Sequence, residues 1–163
     1  MHQTATDILL TLLVLLLQTT LARFLAVAGL SPDITLIWIV YLAIRRGQIA
    51  GSTAGFFIGI TLDLMSGNDG VLGLAALAKT VGGFTAGYFF NENKTLQTLS
   101  TYRFVLILVF IAVVHNLIYF IIFLQGSDVG WWGAVLFYGI PAAVYTAAVG
   151  LIPMFAFARR HLS

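Results

Sequence analysis

The chain has 163 residues, 60% hydrophobic and only 9% charged, with a formal net charge of +2, and its mean hydropathy is +1.01. A soluble domain carries about 25% charged residues, so this composition excludes an ordinary soluble fold and reads as a single integral membrane domain over residues 1–163. There is no cysteine, which removes disulfides and thiolate metal sites.

A Leu-rich first span is predicted over about 8–28, with Gln18, Thr19, Thr20 and Arg23 in its second half. Ala26-Val27-Ala28 looks like a signal-peptide cleavage site. Cleavage is not expected, because His2 to Asp7 lacks a positive n-region and Ala26 lies far from the start of the apolar run. Ser31-Pro32-Asp33 then opens a second helix, with Ser as cap, Pro in the first helical position and Asp favoured by the positive helix end. This span, 32–46, reaches only ~21 Å of the ~30 Å hydrocarbon core, so it must snorkel, thin the bilayer or sit partly inside a bundle. Spans three and four cover about 48–65 and 71–90, joined by a turn from Ser66 to Gly70. Asn91 to Arg103 is the one sizeable polar loop. Span five covers 104–124. After a turn from Gln125 to Gly130 and two interfacial tryptophans, Trp131 and Trp132, span six covers 133–157, with a kink expected at Pro141. The expected fold is an all-α, six-transmembrane-helix bundle.

Six of the eight Lys and Arg (Arg45, Arg46, Lys94, Arg103, Arg159 and Arg160) then fall on one side. The opposite side carries Asp33, Asp69 and Asp128. Positive residues stay cytoplasmic, so both termini are expected inside. Arg45, Arg46, Arg159 and Arg160 are accordingly topology determinants or contacts to anionic lipid.

Two stripes of small residues stand out at a spacing of four. One is Gly51, Gly55, Gly59, Asp63, Gly67; the other is Ala75, Lys79, Gly83, Gly87. Residues four apart share a helix face, and small residues let backbones approach closely in lipid. The glycines are therefore expected at a contact between spans three and four. Each stripe holds one charge, and an antiparallel hairpin centred near Asn68 sets Lys79 opposite Gly59, within reach of Asp63. A charge within the bilayer costs about 2.5–3.5 kcal/mol, which favours pairing. Asp63 with Lys79 is the expected buried pair, fixing register; an ion or proton site is the sharper alternative. Arg23 competes for Asp63, pairs with Asp33 or snorkels. His115-Asn116, in mid-span five, is read as an interhelical hydrogen-bonding dyad.

No P-loop, Gly-x-Ser-x-Gly elbow, His-Glu-x-x-His or paired carboxylates occur on one helix. No catalytic residue, metal, cofactor or nucleic-acid partner is expected, and the chain is not expected to be an enzyme.

The stretch SPDITLIWIVYLAIRRG, followed by GFFIGITLDLMSG and then LGLAALA, resembles the MreD family of bacterial rod-shape-determining membrane proteins. The helix-opening Pro32, the Gly-x-x-x-Gly run into Asp63-Leu64-x-Ser66-Gly67 and the following Leu72-Gly73 carry the match, over about Ser31 to Ala78. The four residues from Asn68 to Val71 make the outer turn longer than the common family form. The resemblance implies an inner-membrane component of the cell-elongation machinery for lateral-wall peptidoglycan. It also implies a fold similar to energy-coupling-factor transporter S components, no catalytic role for Asp63, and MreC, a single-span protein, as partner. The resemblance also implies association with MreB and with the wall-synthesis glycosyltransferase and transpeptidase.

Two functions follow as expectations. One is a non-enzymatic membrane scaffold that holds a partner's single helix. The other is an S-component-like subunit binding a small molecule between its outer loops, for which those loops offer few polar residues.

Overall fold

The computed structural model describes residues 2–27, 30–66, 71–124 and 130–162. The elements are α1 (His2–Phe24), α2 (Ile34–Arg46), α3 (Gln48–Met65), α4 (Leu74–Ala86) with a closing 3-10 turn (Gly87–Phe89), and α5 (Thr95–Leu99). They continue with α6 (Tyr102–Phe123), α7 (Trp131–Ala134), a π turn (Val135–Gly139) and α8 (Ile140–Leu162). Among the described residues there is no strand, and four stretches are long and apolar enough to cross a membrane: Thr4–Ala22, Gln48–Met65, Tyr102–Phe123 and Trp132–Arg159. The fold is that of an all-α membrane protein.

The helix expected over 32–46 is short, as read from the sequence, and the one expected over 71–90 is shorter than predicted. Each has 13 residues, about 20 Å at 1.5 Å per residue, against a ~30 Å core. α4 starts only at Leu74, because Gly73 takes a left-handed backbone (φ +92°) before it. It tightens into the 3-10 turn at Gly87 instead of continuing to Phe90. The loop expected over 91–103 contains α5, whose Thr98 and Leu99 are buried. Most of the turns at Ser66–Gly70 and Gln125–Gly130, with Gly67, Asp69 and Asp128, lies outside the described residues.

α2 is the hub. Its apolar residues run all round the helix, the pattern of a buried helix, and seven of them from Leu36 to Ile44 are buried, with Thr35 beside them. Leu36, Val40 and Ile44 pack with Phe104, Leu108 and Ile111 of α6 in the principal core cluster. Gly47 turns the chain straight from α2 into α3 with φ +88°, a conformation open to glycine at little cost. The α6–α8 contact is close at Gly150, where an added Cβ would strike Leu108.

Where a kink was expected at Pro141, the helix carries a π turn just before it. Proline has no N–H for the carbonyl of Phe137, so the helical ladder cannot continue there with its usual spacing. α1 is the outlier, packing chiefly against α2. It leaves Ile8, Leu9, Leu12, Leu13 and Leu16 exposed on a helix built for lipid.

Candidate functional site

The N-terminus of α2 gathers polar groups from four helices. The cap is Asp33, not Ser31: its Oδ1 accepts from the Leu36 N–H at 2.9 Å and the Thr35 hydroxyl at 2.6 Å. Gln18 of α1 accepts from the Ile34 N–H at 2.7 Å and donates to the Pro32 carbonyl at 3.3 Å. Thr146 of α8 accepts from the Asp33 N–H at 3.0 Å. Lys79 of α4, only 3% exposed, donates to Asp33 Oδ2 and forms an ion pair with it. Orphan N–H groups at a helix start need acceptors, and a carboxylate there is favoured by the helix dipole.

A cavity of about 330 Å³ opens beside this cluster, bounded by Asp33, Lys79, His115, Asn116, Tyr119 and Tyr138 among others. His115 is 7% exposed. Its Nδ1 lies 3.1 Å from Asn116 Oδ1, and Asn116 Nδ2 donates to the Gly139 carbonyl in the π turn at 2.7 Å. The dyad thus bridges α6 to the π turn before α8. His115 Nε2 is buried and has no hydrogen-bond partner among the described residues.

The structure does not bring Asp63 to Lys79. The Lys79 backbone carbonyl faces Gly55, two turns before Asp63 on α3, or ~12 Å along the axis. The predicted register, with Lys79 opposite Gly59, is off by one turn. Gly59 faces Ala75 and Ala76 instead. Asp63 accepts from the N–H groups of Gly73, Ala75 and Ala76 at 3.0–3.1 Å. It caps α4 from the neighbouring helix, where the N-cap residue, Gly73, has no side chain to do so.

The predicted packing glycines all lie at close backbone contacts. An added Cβ would collide with the backbone of Gly83 at Gly51, of Lys79 at Gly55, of Ala76 at Gly59, of Gly51 at Gly83 and of Gln48 at Gly87.

At the other end, Arg46 pairs with Asp7 of α1 at 2.5 Å. Arg45 lies 3.9 Å from the same carboxylate and donates to the Tyr41 hydroxyl at 3.0 Å. The pair that clamps α1 to α2 is therefore built from two residues read as topology signals and one acid not singled out. Arg159 is exposed; the side chains of Arg23 and Arg160 lie outside the described residues.

Two lateral grooves flank α1. One, about 710 Å³, runs between α1 and α3 with Leu42 and Arg46 of α2 at its floor. The other, about 600 Å³ and almost wholly apolar, runs between α1 and α8 over Trp38 and Tyr41. Among the described residues no cluster of His, Asp or Glu could hold a metal ion.

Asp33, Gln18 and Thr146 were not legible as one site. They are far apart in sequence, and the Ser-Pro-Asp start of α2 fits a local cap equally well. Compared with known proteins, the chain matches no family model, no curated protein and no solved structure.

Proposed function

We propose that the chain is a non-enzymatic scaffold of the bacterial inner membrane, serving the cell-elongation machinery by holding the single transmembrane helix of an MreC-type partner. The observation that carries this reading is the groove between α1 and α3. Its α3 wall presents Ala50, Thr53 and Ala54, small side chains that admit a second backbone closely, and its α1 wall presents Ile8, Leu12 and Leu15. The resemblance of Ser31 to Ala78 to the MreD family supports the choice of partner. In this reading α2 and α4 cross as short helices sheltered by the bundle, giving six passes with both termini cytoplasmic. MreB and the wall-synthesis enzymes would be reached through the partner.

The test is a photo-crosslinking residue at Ala54, with one at the exposed Leu106 of α6 as control. A single-span protein captured from Ala54 and not from Leu106 supports the scaffold; capture from Leu106 alone rejects this groove. Co-purification of a transporter instead would favour the small-molecule-binding subunit. Single cysteines in this cysteine-free chain test the topology: one at Ser31 should react with an impermeant reagent in intact cells, and one at Gln97 should not.

A further inference from the structure

We infer that the groove between α1 and α8 is a binding site for one anionic phospholipid, with an acyl chain lying along the groove and the phosphate held by Arg45 at its mouth. This does not depend on the scaffold reading.

The shape of the groove chooses a chain over a helix. It holds about 600 Å³ and runs beside α1 from Leu10 to Leu25, about 20 Å at 1.5 Å per residue. Half of a ~30 Å hydrocarbon core is ~15 Å, so the groove takes the full depth of one leaflet. Its walls are bulky, with Leu17 and Leu21 on the α1 side and Val149 and Ile152 on the α8 side. Helix backbones approach each other in lipid over small residues, and Ala156 is the only small one among the lining residues. A flexible acyl chain fills such a surface without that requirement. The floor is a half-buried aromatic ladder: Trp38 stacks on Tyr41 at 5.1 Å between ring centroids, and Tyr41 on Phe157 at 5.3 Å.

Charge sets the headgroup. Arg45 and Arg46 share one carboxylate, Asp7, which Arg46 holds at 2.5 Å while Arg45 stands 3.9 Å away. Two guanidinium groups against one acid leave a positive charge at this end of α2. It falls to Arg45, whose side chain is 37% exposed. Tyr41, on the groove floor, fixes that cation: its hydroxyl accepts from Arg45 at 3.0 Å, and the guanidinium lies 5.9 Å from its ring centroid. A guanidinium carries five N–H donors in a fork that fits phosphate, and Tyr41 takes one of them. Arg159, two residues beyond Phe157 on α8, is exposed and adds a second positive charge to the same end. Basic pockets between membrane helices are where anionic headgroups bind.

The chain has three tryptophans, Trp38, Trp131 and Trp132. With Trp131→Phe and Trp132→Phe, the full-length protein in non-ionic detergent reports on Trp38 alone. The probes are phosphatidylglycerol, which is anionic, and phosphatidylcholine, which is not, each with brominated acyl chains that quench tryptophan on contact. Phosphatidylglycerol should quench Trp38 saturably, at a mole fraction about fivefold lower than phosphatidylcholine, the scale of one interfacial arginine. Arg45→Gln should remove that preference and leave quenching by phosphatidylcholine as it was. Ala156→Phe, which fills the groove, should weaken quenching by both lipids. Equal quenching of Trp38 by the two lipids would overturn the phosphate contact, and an unchanged response in Ala156→Phe would place the chain elsewhere; the proposal fails on either. Should a variant not fold, the two lipids are compared on the unsubstituted protein, with Trp38→Phe as blank, at low salt and in about 0.5 M salt. The preference must then be present at low salt and vanish with screening.

Discussion

Lys79 of α4 is paired with Asp33 at the first turn of α2, and the pair locks together two helices each too short to span a bilayer alone. Asp33 already caps α2, so a single carboxylate both finishes one helix and neutralises the buried ammonium of another. The insertion cost of Lys79 is met by a residue 46 positions away in the chain, not by the acid on the adjacent helix.

Lys79→Met should therefore leave Asp33 unmatched and destabilise the protein by about 3–5 kcal/mol, the cost typical of breaking a buried pair. Asn is also a good N-cap, so Asp33→Asn with Lys79→Met should be milder than Lys79→Met alone. A double-mutant cycle by thermal unfolding in detergent should give a Lys79–Asp33 coupling of about 0.5–3 kcal/mol. The Lys79–Asp63 cycle should be additive within about 0.5 kcal/mol. A strong Lys79–Asp63 coupling would mean the two acids have exchanged roles.

Asp63→Ala removes the acceptor for three N–H groups at the start of α4. Loss of a cap typically costs about 0.5–2 kcal/mol, and the upper end is expected here because the N-cap residue, Gly73, has no side chain to replace it. Asp63→Asn keeps one acceptor oxygen and should fall between Asp63→Ala and the unsubstituted chain. Hydrogen exchange locates the effect: protection should drop at Ala75 and Ala76 first. Loss spread evenly along α4, with Ala75 and Ala76 no more affected than the rest, would contradict the cap.

Gly55→Ala and Gly59→Ala place a methyl against the backbone of α4, which cannot yield as a side-chain tip would. Overpacking of this kind costs about 1–3 kcal/mol. Gly130→Ala and Gly133→Ala meet none of the described residues within 4 Å and should be neutral. Unfolding temperatures of the four variants check this, and equal behaviour of the two pairs would show that α3 and α4 are not held at backbone contact.

The stripes of glycine and the bounds of α3 were legible because a spacing of four within one helix is local information. The partners of the charges were not, because they depend on interhelical register and on which turn of α2 serves as its start. Asp63 sat in the right place for the wrong reason: it lies on the packing face, but the α4 N-terminus needs acceptors, and its N–H groups are nearer than Lys79. His115-Asn116 was visible as a polar dyad. Its unmatched nitrogen was not, since that follows from the Asn116 bond to the π turn before Pro141.

The last prediction concerns α1, which is fastened to the bundle mainly by polar contacts. Asp7 pairs with Arg46, the Trp38 Nε1–H donates to Thr11 at 2.9 Å, Gln18 binds both sides of the α2 start, and the Tyr145 hydroxyl donates to the Leu25 carbonyl at 2.6 Å. Apolar packing in lipid gives helices little preference for each other over acyl chains, so these bonds should decide where α1 sits. Gln18→Leu and Asp7→Asn together should raise hydrogen exchange at the polar ends of α1 and at Ile34, while α6 remains as protected as before. If the groove between α1 and α3 seats a partner helix, the double variant should also lower partner co-purification at unchanged protein level, because its α1 wall is no longer fixed. Loss of α1 protection with full partner recovery would place the partner elsewhere on the bundle. Unchanged protection would mean that apolar contact alone holds α1.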